Sequence, residues 1–140
     1  MSKLKISRTL ALPLEAVGQT WTIVGIRGGG KTNTGGVVAE EALDNRIPIL
    51  LVDPTDASWG LKTRYKIVVF GGEHGDLPLT EHDGKAIAEF VAGERYPVIV
   101  SLAHLGRAAQ MRFVTELFTT LYLLKAKQEN RTPLLVIIDE

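Results

Sequence analysis

Short runs of apolar residues recur along this chain, most of them followed by turn residues, and stretches with helical spacing alternate with them. The runs cover residues 21–25, 48–53, 65–70, 97–102 and 134–138. Runs this short and this uniformly apolar suit strands buried on both faces, as in a parallel sheet covered by helices on each side. Residues 32–45 read as the first helix, with Val37, Val38, Ala42 and Leu43 facing inward and Asn45 near the end. Thr80-x-x-Asp83 resembles a capping box that opens a second helix to about Glu94, with Ile87, Phe90 and Val91 as its apolar face. Residues 107–129 form the longest helix. Gln110, Phe113, Leu117, Leu121 and Leu124 lie on one stripe, with Met111, Val114 and Phe118 beside it. Residues 4–12 are expected to add a lead-in strand. The expected fold class is α/β: a three-layer sandwich around a mainly parallel sheet.

The connection after the first of these buried strands is the most informative. It reads Gly25-Ile26-Arg27-Gly28-Gly29-Gly30-Lys31-Thr32, a G-x-x-x-x-G-K-[S/T] run between an apolar strand and a helix. Gly25, Gly28, Gly29 and Gly30 let the backbone turn tightly and aim successive N–H groups at phosphate oxygens. Lys31 brings a cation to the β- and γ-phosphates, and the Thr32 hydroxyl suits Mg²⁺. Asn33 continues the first turn of the helix, whose N-terminal dipole adds to the same site. ATP with Mg²⁺ is the ligand this pattern predicts.

At the other end, Leu134-Leu135-Val136-Ile137-Ile138 leads into Asp139-Glu140. A buried strand ending in two acids is the second half expected of such a site. Asp139 would reach the metal's water shell, and Glu140 would take a proton from the attacking water. By itself the pair would read as two solvated acids capping a core strand.

Composition narrows the remaining classes. The chain has 140 residues, about one domain, and 45% of them are hydrophobic, enough for a packed core. Its formal net charge is zero, so any nucleic-acid contact has to come from local clusters such as Lys62/Arg64/Lys66 or Lys125/Lys127/Arg131. The absence of cysteine excludes disulfides, thiolate zinc sites and thiol catalysis, and fits a reducing cytoplasm. No apolar run reaches membrane-spanning length, and Pro13 and Glu15 cut the Leu10-Ala11-Leu12 run too short for a signal-peptide core.

Several other residues invite functional readings, and most have simpler ones. Asp53 ends a strand and precedes Pro54, so loop capping is favoured over metal binding. Trp59 is expected to pack rather than stack on a base. Glu73 and His74 supply too few ligands for a metal site by themselves. Arg27 is expected to be a solvated side chain. His82 is expected in the first turn of the second helix and His104 just after a strand, and neither is given a role.

The run from Ile23 through Thr34, the segment from Pro48 through Asp53-Pro54 to Trp59-Gly60, and Asp139-Glu140 together resemble the HerA/FtsK-like ATPases, in particular the bacterial HerA-type ATP-binding proteins. Phe70-Gly71-Gly72-Glu73-His74-Gly75-Asp76 and Val98 through Leu102 add to the likeness, which covers residues 20–140. The resemblance implies a RecA-like P-loop NTPase core, ring assembly (commonly a homo-hexamer), ATP-driven movement on double-stranded DNA and, often, a nuclease partner. It also implies that Lys31 holds phosphates, Thr32 and Asp139 serve Mg²⁺, and Glu140 is the catalytic base. In that family a further strand lies between the loop strand and the Asp-Glu strand. The expectation is therefore that residues 1–140 are the N-terminal part of a longer ATPase domain. Gly29 departs from the family, where Ser or Ala is usual. The alternatives are a non-catalytic nucleotide-binding module or a small-molecule kinase; the Asp-Glu pair favours water over another acceptor.

Overall fold

The computed structural model describes residues 2–139. Four parallel strands make the main sheet: β3 (Ile49–Asp53), β4 (Val68–Phe70), β5 (Val98–Ser101) and β6 (Leu135–Ile138), in the spatial order β4-β5-β3-β6. Leu50 is level with Val98 on one side and Val136 on the other, and Asp53 is level with Ser101. All five residues of β3 and all four of β5 are buried, as expected for central strands covered on both faces.

Three helices supply the covers. α1 (Lys31–Asp44) packs Val38, Ala39 and Ala42 onto one face, against Ile49, Leu51, Val69 and Ile99. On the other face α2 (Gly84–Glu94) and α3 (Arg107–Ala126) bring Ile87, Val91, Phe113, Leu117 and Leu121 against Leu50, Val52, Val98 and Val100. The alternation of faces along β3 and β5 follows the two-residue period of a strand. The expected α/β class with helices on both sides of a parallel sheet is what the chain adopts.

Four expectations need correction. Residues 4–12 form a hairpin, β1 (Lys3–Lys5) and β2 (Ala11–Pro13), in a separate two-stranded antiparallel sheet. Ser7 makes the turn, its Oγ accepting from the N–H groups of Thr9 and Leu10. The hairpin leans on α1 through the Lys5 N–H, which donates to Glu41 Oε2 at 2.7 Å. Second, residues 21–25 are not a strand. No backbone–backbone hydrogen bond joins residues 20–25 to any other described residue, and Val24 is 84% exposed. Their β-branched composition is that of a strand, but a strand exists only by pairing, and β6 pairs with β3 alone. Third, the Thr80–Asp83 box closes a turn ahead of α2 instead of capping it. Asp83 Oδ2 accepts from Thr80 N and Oγ1, the helix begins at Gly84, and His82 therefore precedes it. Fourth, Met111 faces solvent at 62% exposure, while Gln110 donates to the carbonyls of Leu102 and Leu105 and so secures the turn into α3.

Candidate functional site

The four parallel strands end on one edge, where the connections carry most of the residues singled out by the sequence. α1 starts there, at Lys31, immediately after a loop in which Gly28 (φ 78°) and Gly30 (φ 91°) adopt left-handed conformations. The first-turn N–H groups of α1 have no acceptor within the helix and point out of its N-terminus. Lys31 Nζ lies back over the loop, donating to the carbonyls of Gly25 (2.9 Å) and Ile26 (3.0 Å). The Gly29 N–H donates to the Ile26 carbonyl at 3.0 Å, and a Cβ at Gly29 would meet that oxygen at 2.9 Å. Glycine at this position therefore fits the particular shape of this loop.

Asp139 follows β6, and its N–H donates to the Val52 carbonyl at 3.1 Å, holding it level with the end of β3. Its Oδ1 lies 3.5 Å from Thr32 Oγ1, a contact between residues 107 positions apart in sequence. Lys31, Thr32 and Asp139 therefore gather on one sheet edge. Asn33 is exposed in the first turn of α1, and Glu140 lies outside the described residues. A cleft of about 840 Å³ adjoins this cluster, lined by residues 20–25 and β6 and also by Val38, Leu51 and Ser58.

No group of three or more His, Cys, Asp or Glu among the described residues could hold a metal ion. Thr32 and Asp139 alone suit a Mg²⁺ that takes most of its ligands from phosphate and water, the usual arrangement for this cation.

Asp53 sits beside this cluster but is fully buried and already engaged. Its Oδ1 accepts from Thr55 N and Oγ1, both at 2.9 Å, and its Oδ2 from Ala57 N and Ser58 N, both at 2.8 Å. It caps the loop that carries Ser58 to the cleft, as its sequence context suggested. That loop is joined to residues 71–79. Trp59 stacks on His74 with ring centres 3.7 Å apart, and Lys62 reaches the His74 carbonyl and Asp76. Asp56 Oδ2 accepts from the Glu73 N–H; a Cβ on Gly72 (φ 74°) would collide with the Asp56 carboxylate. The Val69 N–H holds the Asp76 carboxyl below its ordinary value against the opposing effect of burial, and Lys62 assists. Glu73 and His74 thus belong to loop structure, Arg27 is exposed, and His104 bonds to the Leu79 carbonyl through Nε2.

Sequence reasoning passed over Ser101. It ends β5 level with Asp53, is 1% exposed, and its Oγ has no hydrogen-bond partner among the described residues. A buried hydroxyl without a partner is destabilising. Ser101→Ala should therefore leave the thermal midpoint unchanged or raise it; a lowered midpoint would reveal a bound water or another partner for the hydroxyl. No protein-family model matches the chain, and no curated protein or solved structure matches it.

Proposed function

We propose that this chain binds ATP with Mg²⁺ and hydrolyses it, as the RecA-like core of a HerA/FtsK-like motor that assembles into a homo-oligomeric ring and works on double-stranded DNA beside a nuclease. One observation carries the reading: Lys31 and Thr32, at the start of α1, converge with Asp139, at the end of β6, on the same sheet edge. A chance Gly-rich loop has no reason to meet the acid that follows a parallel strand 107 residues away.

In this reading the loop N–H groups and α1 N-terminus bind the phosphates, and Lys31 turns from the Gly25 and Ile26 carbonyls to the phosphate oxygens. Thr32 and Asp139 would hold Mg²⁺, which when bound would neutralise phosphate charge. Glu140 takes the proton as water attacks the γ-phosphorus and the bond to the ADP oxygen breaks. The open cleft beside residues 20–25 favours a second reading, a nucleotide-binding module without turnover.

Phosphate release separates the two. Wild type should turn ATP over and be stimulated by duplex DNA. Glu140→Gln should keep ATP binding and lose about 10²- to 10⁴-fold in rate, because an amide cannot accept the proton. Wild-type turnover in Glu140→Gln would remove Glu140 from the role of base; binding without turnover in wild type would favour the module.

A further inference from the structure

α3 is apolar on its outer side as well as on the side that packs. Phe113, Leu117 and Leu121 face the core, yet Met111, Tyr122 and Leu123 are 62%, 76% and 61% exposed. Ala108, Arg112, Thr115, Thr119 and Ala126 belong to the same exposed face. Between Arg112 and Ala126 the exposed residues are Thr115, Thr119, Tyr122 and Leu123, and none carries a charge. A helix face in water ordinarily carries charges at such positions. The neighbouring α2 does so, exposing Lys85, Glu89 and Glu94. An open groove of about 550 Å³ lies along the α3 face, lined by Met111, Arg112, Thr115, Glu116, Thr119 and Thr120.

This face reads nearly alike in both chain directions. About a centre at Leu117, Ala108 mirrors Ala126, Met111 mirrors Leu123, Arg112 mirrors Tyr122 and Thr115 mirrors Thr119. The spacing follows from the helix itself, with its three- and four-residue steps. The match in side-chain size does not. Setting a helix against a reversed copy of itself is what a two-fold axis perpendicular to it does, and such an axis requires a self-complementary surface.

We propose that α3 packs antiparallel on α3 of a second copy of this chain, forming a two-fold dimer. Thr115 opposes the partner's Thr119 at the centre, where small side chains let the helix axes approach to about 8 Å. Met111 meets the partner's Leu123 towards each end. The Arg112 guanidinium, held by Glu81 at 2.9 Å, comes over the ring of the partner's Tyr122, a cation–π contact made twice by symmetry. A lipid surface would call for large apolar groups along the whole face, whereas this one has threonines at its centre. The contact is isologous, while a closed ring is built from head-to-tail contacts. It is therefore a different interface from that of the proposed ring, and it rests neither on the ring nor on the nucleotide reading.

The chain has no cysteine, so introduced thiols report on this contact alone. Thr115→Cys and Thr119→Cys are mixed and mildly oxidised. The mixed disulfide should form several-fold faster than either homodisulfide, because like positions are displaced by about 6 Å along the axes, beyond disulfide reach. Sedimentation of wild type without nucleotide should show a monomer–dimer equilibrium with Kd of about 10–100 µM, the weak class expected when one helix per copy is buried. Lys31→Ala should dimerise equally, which separates this contact from ATP-linked assembly. Tyr122→Glu/Leu123→Glu should be monomeric over the same range with an unchanged thermal midpoint, since both side chains face solvent. A monomeric wild type, a dimer that survives the double variant or needs ATP, or homodisulfides as fast as the mixed one would overturn the proposal. A monomeric wild type that binds phosphatidylcholine vesicles through Tyr122 and Leu123 would also overturn it, giving the face to lipid.

Discussion

Lys31→Ala should weaken ATP–Mg²⁺ binding by about 10- to 100-fold, the loss expected when a charge-assisted contact to phosphate worth about 1.5–3 kcal/mol is removed. The fold should be unaffected. Lys31 is the first residue of α1, partly exposed, and its ammonium touches only the Gly25 and Ile26 carbonyls, whereas the helix is anchored by Val38, Ala39 and Ala42. Isothermal titration of both proteins, with circular dichroism to verify the fold, reads the effect. Equal affinities would remove the loop from the phosphate-binding role.

The second large effect concerns stability. Asp53→Ala should cost about 3 kcal/mol or more, because it strips the partners from three backbone N–H groups, each worth about 1–3 kcal/mol when left buried and unpaired. Those groups belong to Thr55, Ala57 and Ser58. Asp53→Asn keeps the shape and one carbonyl acceptor, so it should lose less. Because Ser58 lines the cleft, Asp53→Ala should also weaken ATP binding in whatever fraction remains folded. Chemical denaturation measures the first effect, and a loss below about 1 kcal/mol would contradict the capping role.

The sequence made the sheet legible because its strands are buried on both faces and its helices carry clear stripes. Phe113, Leu117 and Leu121 sit where their spacing placed them, as do Val38 and Ala42. Residues 21–25 misled because propensity describes a residue and pairing describes its neighbours. The apolar run is real, but no described strand lies beside it. Thr80–Asp83 misled for a related reason: the same side-chain bonds close a turn or start a helix, and only the following backbone decides. At the Gly25–Lys31 loop, the sequence anticipated that Lys31, Thr32 and the strand-end Asp139 would meet on one sheet edge, and they do. Of the two basic clusters in the sequence, the first is partly neutralised, because Lys62 and Arg64 are paired with Asp76 and Glu40.

The central claim is that Lys31, Thr32 and Asp139 form one ATP–Mg²⁺ site, and titration of the wild-type protein with ATP in the presence and absence of Mg²⁺ tests it most directly. The account predicts saturable binding that weakens when Mg²⁺ is withheld, with Asp139→Ala losing that metal dependence while keeping residual affinity through the loop. No saturable ATP binding, or binding indifferent both to Mg²⁺ and to Asp139, would contradict it.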